Sequence, residues 1–169
     1  MIVIETERLD LRRITLEDAE FIHQLYNEPA FRRNIGDKNI KTVEDATKFI
    51  ENSPLQDYKK QGFSMFLVAL RSNNTPIGVC GLLKREYFEE VDLGFAFLEA
   101  YWSKGYGREA ASSVMEYART DMGLGKLVGI TSAKNTSSIK LLERLKFVYD
   151  RTLTLPGYEG DSKLFAITL

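Results

Sequence analysis

The sequence predicts a single α/β domain, a mixed sheet with helices packed on its faces. Three observations predict it. Strand-like and helix-like runs interleave along all 169 residues, three strand-like runs follow one another in mid-chain, and no linker rich in Pro, Gly or Ser and no repeat divides the chain. A chain of this length holds one compact domain, spanning residues 1–169, with a substantial core.

The elements follow in order. Residues 9–14, Leu-Asp-Leu-Arg-Arg-Ile, read as a first strand. Thr15-Leu16-Glu17-Asp18 starts a helix, with Thr15 as N-cap and acids in the first turn. Ala19, Ile22, Leu25 and Tyr26 continue its apolar stripe, and Pro29 ends it. A second helix starts at Thr42 and carries Val43, Ala46, Phe49 and Ile50 at helical spacing. Residues 63–71 are strongly β, Ser72-Asn73-Asn74-Thr75-Pro76 turns the chain, and residues 77–83 return as a hairpin. Residues 91–98 form the next strand, with Val91, Leu93, Phe95 and Phe97 on one side and Asp92, Gly94, Ala96 and Leu98 on the other. A glycine-bearing loop leads into a helix over about 107–122, with Ala110, Ala111, Val114, Met115 and Ala118 inward and Gly123 and Gly125 as its stop. Residues 126–132 are a strand, and a short helix carries Ile139, Leu142 and Leu145. Residues 147–149 and 163–168 close the chain as two strands around the loop Pro156-Gly157-Tyr158-Glu159-Gly160-Asp161. The order is β-α-α-β-β-β-α-β-α-β-β.

Composition excludes several functions. Basic and acidic residues number 23 and 24, so no field favours a nucleic acid or a membrane surface, and neither is expected as a partner. Met1-Ile2-Val3-Ile4-Glu5 lacks the basic and apolar regions of a signal peptide, and a cytoplasmic location is expected. Cys80 and His23 are the only cysteine and histidine, too few for a zinc site or a disulfide framework. Cys80 lies in an apolar β-like run and reads as a buried small hydrophobe; His23 reads as structural or surface. Neither a metal nor covalent thiol chemistry is expected.

Tyr101-Trp102-Ser103-Lys104-Gly105-Tyr106-Gly107-Arg108-Glu109-Ala110 is the most informative stretch. A loop with two close glycines feeding a helix aims several backbone N–H groups in one direction, where the helix dipole adds positive potential. A diphosphate fits there; Gly105 and Gly107 admit close approach, and Lys104 and Arg108 add charge. The segment also satisfies the loose G-x-G-x-x-G/A dinucleotide pattern. That reading is disfavoured, because the loop lies past mid-chain and the next strand ends without an acid to hold a ribose. A tight loop without ligand is the bland alternative.

With its surroundings the loop resembles the acetyl-CoA pyrophosphate loop of the GNAT N-acetyltransferases, Q/R-x-x-G-x-G/A. Trp102-Ser103-Lys104-Gly105-Tyr106-Gly107 matches both glycines, with Trp102 in place of Gln or Arg, as in the RimJ/RimL-type branch, where an aromatic-Trp pair precedes the loop. Thr6-Glu7-Arg8-Leu9-Asp10-Leu11-Arg12, Asp92-Leu93-Gly94-Phe95, and Asn135-Thr136-Ser137-Ser138 leading to Lys146-Phe147 are similar to that branch too, so the resemblance covers essentially the whole chain. Lys146 stands where the family usually has glycine.

The resemblance implies a three-layer fold whose central sheet is mixed and mostly antiparallel, with helices on both faces. It implies acetyl-CoA as cosubstrate, with its diphosphate on Ser103, Lys104, Gly105, Tyr106, Gly107 and Arg108. The strands at 91–98 and 126–132 splay to admit the pantetheine arm, which bonds backbone near Phe97 and Leu98 and contacts Asn135. Ser138 takes the position of the hydroxyl that protonates the leaving thiolate, although Asn-Thr-Ser-Ser is also an adequate helix N-cap. Asp92 and Glu159 are the candidate bases, each with a bland reading as a solvated acid. Glu86, Glu89 and Glu90 form an acidic run near the acceptor mouth. The implied reaction is direct transfer in a ternary complex to a primary amine, on a small molecule or a protein N-terminus. The alternative from another class is an acyl-CoA-binding module without catalysis. A homodimer stays open.

Overall fold

The computed structural model describes residues 1–169. From the N-terminus run β1 (Ile2–Glu5), β2 (Leu9–Arg13), a 3₁₀ turn (Leu16–Asp18), α1 (Ala19–Tyr26), α2 (Pro29–Asn34), α3 (Val43–Asn52), α4 (Pro54–Gln61), β3 (Met65–Leu70) and β4 (Pro76–Leu83). There follow β5 (Val91–Phe97), a second 3₁₀ turn (Glu99–Tyr101), α5 (Tyr106–Thr120), β6 (Lys126–Ser132), α6 (Thr136–Arg144), β7 (Val148–Leu153) and β8 (Ser162–Thr168). The eight strands form one sheet in the order β1-β2-β3-β4-β5-β6-β8-β7, antiparallel throughout except between β5 and β6.

The expected order holds with three additions. β1 is a short edge strand on which only Ile4 is half-buried, so no alternation marks it. Pro29 opens a helix where the sequence reading has it close one. It sits at the start of α2, where a missing N–H costs nothing, and α1 has already stopped at Tyr26. The Asn27 side chain spans the junction, donating to His23 O at 2.7 Å and Ile40 O at 2.6 Å. α4 is polar on most of its surface, burying Pro54 and Tyr58 and packing Leu55 against the core. The Tyr58 hydroxyl accepts from Ile14 N–H at 2.9 Å and donates to Met65 O, tying the end of β2 to the start of β3.

Strand alternation divides the core between the two faces. Phe66, Val68, Cys80, Leu82 and Leu93 pack on one face against Ala110, Ala111 and Val114 of α5. Leu67, Ala69 and Val79 pack on the other against Ile22 and Leu25 of α1 and Ala46 and Ile50 of α3. The alanines of α5 let its backbone lie close to the sheet. His23 is structural, its Nε2 lying 3.0 Å from Lys41 O, and no helix is long and apolar enough to cross a membrane.

The sheet has one weak seam. β5 and β6 are registered only at Val91–Leu127 and Asp92–Val128. Beyond these, β5 stays with β4 as far as Gly78–Phe97, while β6 stays with β8 as far as Ser132–Ser162. Each strand follows its antiparallel partner, and the two diverge.

At the end of α6, Lys146 adopts φ 74°. Its N–H reaches Glu143 O and that of Phe147 reaches Leu142 O, both at 3.0 Å, a helix stop that suits glycine. A side chain in this left-handed conformation costs about 1 kcal/mol. Lys146→Gly is therefore expected to raise the unfolding free energy by about 0.5–1 kcal/mol, measured by urea denaturation; an unchanged or lower value would mean that the strain is absent.

Candidate active site

The divergence of β5 and β6 opens a cavity of about 1300 Å³ that passes through the seam. Gly105, Tyr106 and Gly107 line it at the C-terminal end of β5, and Asp92 lines it at the N-terminal end. The five steps along the strand from Asp92 to Phe97 span about 17 Å at ~3.3 Å each, so the site is a long slot with chemically different ends.

At the loop end, Ser103 (φ 61°) and Gly105 (φ 83°) both take left-handed conformations. Such alternation turns successive amides toward one point. α5 begins at Tyr106 with no side chain capping it, which leaves its first-turn N–H groups free for an anion. A Cβ at Gly107 would lie 3.4 Å from Leu141 and 3.7 Å from Phe97, ordinary contact distances, so the protein alone does not require glycine there. The cations fit less closely than expected. Lys104 Nζ lies 5.8 Å from the centre of the Tyr101 ring, and Arg108 lines a separate groove outside the cavity.

What holds the loop is a residue that the sequence reading did not single out. Arg8, between β1 and β2, donates through Nη1 to Lys104 O at 3.0 Å and through Nε to Glu109 at 2.7 Å. Its guanidinium sits 4.3 Å from the Tyr106 ring centre. Glu109, in the first turn of α5, also accepts from Arg8 N–H at 2.9 Å and the Thr6 hydroxyl at 2.5 Å. Burial raises the Glu109 pKa, and the bonds from Thr6 and Arg8 outweigh it, holding the carboxyl below its ordinary range. The only signal in the sequence was Thr6-Glu7-Arg8 as part of a family-like stretch; a partner 101 residues away leaves no local pattern.

Along the slot, Trp102 Nε1 donates to Phe97 O at 2.9 Å and ties the loop to the end of β5. Leu98 does not meet its expectation. Its N–H is bonded to Ile77 O and its carbonyl accepts from Tyr101 N–H, both at 2.9 Å, and the residue is buried on the α1–α3 face. Because bonding direction alternates along a strand, the Phe97 N–H turns the other way, toward the gap. Asn135 Oδ1 accepts from Ser138 N–H at 3.2 Å, so Asn135 is the cap of α6. Ser138 is buried, and both residues line the cavity. The cap and the candidate site are the same residues.

At the far end, Asp92 is 2 % exposed. Arg85 Nε donates to its Oδ2 at 3.0 Å, while Oδ1 is buried without a partner. Burial pushes the carboxyl up to about 6, with Arg85 and the Ile130 backbone pulling in the opposite direction. Arg85 also donates to the Tyr158 hydroxyl at 3.2 Å, and Lys38 Nζ lies 5.1 Å from the Tyr158 ring centre. Segments after α2, after β4 and after β7 thus meet around Asp92, with the exposed Glu159 beside Tyr158. Arg85 and Tyr158 were not legible in the sequence, where neither belongs to a periodic pattern. The acidic run does not act as one group: Glu86 lines the cavity, whereas Glu90 pairs with Lys126 at 3.6 Å.

The family model for the acetyltransferase (GNAT) domain matches residues 8–148. An N-acetyltransferase of Bacillus licheniformis, p20, is 28% identical over 150 residues, covering 87% of this chain and 83% of its own. YoaA, an N-acetyltransferase of Bacillus subtilis strain 168, is 25% identical over 170 residues and covers 98% and 96%. Among solved structures, RimL, a ribosomal L7/L12 α-N-protein acetyltransferase in complex with coenzyme A, superposes with a TM-score of 0.84 at 17% identity, covering 100% and 98%. A GNAT-family acetyltransferase from Bacillus anthracis superposes at 0.82 with 24% identity, covering 99% and 98%. At these identities the superpositions establish the fold alone.

The environment of Asp92 is open to direct measurement. Its carboxyl carbon is expected to titrate near pH 6 by NMR, above the ordinary value of about 3.9. Arg85 favours the charged form, so Arg85→Met should move the midpoint higher. A midpoint near 4 in the wild type, or a downward move in the variant, would refute this electrostatic description.

Proposed function

The chain belongs to the GNAT acetyltransferase family, and from that premise we propose that it moves an acetyl group from acetyl-CoA to a primary amine by direct transfer in a ternary complex. The observation that carries this reading is one slot joining two different ends: free helix-start amides at Gly105–Gly107 and a buried, half-bonded carboxylate at Asp92. A diphosphate suits the first and a cationic or hydrogen-bond-donating amine suits the second. Exclusion of water strengthens both interactions.

In this reading the diphosphate lies on the loop amides and the pantetheine arm fills the gap, beside the Phe97 N–H and Asn135. The neutral amine nitrogen attacks the thioester carbonyl carbon. A C–N bond forms, the C–S bond breaks, and the electron pair of the broken bond leaves on sulfur. The proton released by nitrogen passes to Asp92 Oδ1, the enclosed free acceptor at this end. Glu159, exposed at the mouth, attracts the incoming ammonium, which gives up one proton to solvent before its nitrogen attacks. Ser138 gives its hydroxyl proton to the thiolate and regains one from solvent. An N–H directed at the carbonyl oxygen contributes about 3 kcal/mol as charge develops there.

Direct transfer is supported by Cys80, which is 0% exposed and whose thiol is pushed up by burial. An α-amine with pKa near ~8 is more readily neutral at pH 7 than a lysine near ~10, which favours a protein N-terminus or a small α-amine as acceptor. A binding module without catalysis has no use for an enclosed, unpartnered carboxylate oxygen in the same slot.

Acetyl-CoA mixed with a panel of amines is expected to release free CoA thiol. The rate should rise with pH through about 6 as Asp92 ionises. Asp92→Asn should lower kcat/KM by ~10²–10⁴-fold and remove that acid limb. If no amine on the panel releases thiol, the module reading replaces this one.

Ser138→Ala should lower kcat by roughly 10²-fold. Because Asn135 supplies the capping bond, the melting temperature should barely change. Wild-type kcat in that variant would remove Ser138 as the acid.

Arg8→Lys keeps the charge and loses the fork that spans Lys104 and Glu109. It is expected to raise KM for acetyl-CoA several-fold while leaving KM for the amine unchanged. A parallel rise in both would mean general loss of structure.

A further inference from the structure

Beside the phosphate loop lies a second depression that the reaction does not use. A groove of about 340 Å³ runs between α5 and the C-terminal end of α6. Arg108, Arg144 and Lys146 line it, and Arg144 also lines the main cavity, so the two spaces share a wall. None of the three cations is in an ion pair. The one side-chain carboxylate on the groove, Glu116, is already held by Arg119 at 2.6 and 3.2 Å. Lys140, one helical turn before Arg144, extends the cationic strip along the main cavity.

Two features of this groove work against the stability of the free protein. The cations on the groove outnumber its carboxylates, and like charges gathered this way repel one another. Lys146, moreover, holds its side chain here from a left-handed backbone position, φ 74°, that glycine would occupy without strain. Both costs fall at one place, and an anion bound there would offset the first and give the second a use.

The donor reading above, on which this inference rests, says which anion. A diphosphate on the first turn of α5 lies next to Arg108, at the third position of that helix. The nucleoside of CoA continues from the diphosphate and carries a phosphomonoester on its ribose 3′ oxygen. From the loop, the wall formed by Arg144 leads into the groove. We propose that this groove binds the 3′-phosphomonoester of the donor through Arg108, Arg144 and Lys146, and that the enzyme thereby selects CoA over 3′-dephospho-CoA.

The test is calorimetric titration of the full chain with CoA and with 3′-dephospho-CoA, two probes that differ only in that group. The wild type is expected to bind CoA roughly tenfold more tightly, as a few exposed charge pairs allow, with the ratio shrinking as salt is raised. Arg144→Gln should weaken CoA while sparing 3′-dephospho-CoA, bringing the ratio toward one. Lys146→Gly should do the same while raising the melting temperature, a combination that a purely structural lysine does not produce. Equal affinities in the wild type overturn the site alone, as do variants that weaken both ligands equally. If neither ligand binds, the donor reading falls and the site with it.

Discussion

β5 and β6 are held together by two registered residue pairs because each has committed its other edge to an antiparallel neighbour. A parallel pair is slightly less stable per residue than an antiparallel one, so where the halves of the sheet twist apart, this seam is the part that yields. The slot, the turned-out Phe97 amide and the position of Asn135 and Ser138 on its rim all follow from that divergence. The fold tolerates it because the two faces are closed independently, by α5 on one side and α1 with α3 on the other.

The two ends of the slot handle charge by opposite means. At the loop, positive potential comes from backbone geometry, and the side-chain charges around it serve as struts. Arg8 and Glu109 neutralise one another while fixing Lys104 and Tyr106. At Asp92 the charge is on the side chain itself and is taken out of water, compensated on one oxygen and left bare on the other. An ion pair enclosed in this way is a poor source of stability, and its half-satisfied state is better suited to receiving a ligand than to holding the fold. Tyr158 and Lys38 cover this end from separate loops, the most variable kind of segment, while the other end is built on the start of α5.

The local record in the sequence carried a good deal of this. Alternation on residues 91–98 assigned Leu93 and Phe95 to one face and Asp92 and Ala96 to the other, and the core packs that way. Helical spacing located α3, α5 and α6, and the paired glycines marked the start of α5. Such features are legible because side-chain direction repeats every two or 3.6 residues and because the left-handed turn at Gly105 calls for glycine. Lys146 showed the limit of such rules: the position has the conformation expected of a glycine without the residue.

Only the tertiary structure decided which polar groups meet. α4 was hidden because it buries few apolar side chains, and its tie to the strands is a tyrosine hydroxyl bonded to backbone on either side. Leu98 stands beside Phe97 in sequence, yet its backbone groups are bonded within the protein while the Phe97 N–H faces the gap. Arg8 finds Glu109 across 101 residues, and Arg85 finds Tyr158 across 73. Periodicity reports how a segment faces the core, since burial acts on every residue of a helix or strand in turn. A hydrogen bond between distant loops depends on where the whole sheet brings them, and a single polar residue in a loop carries no period by which to announce its partner.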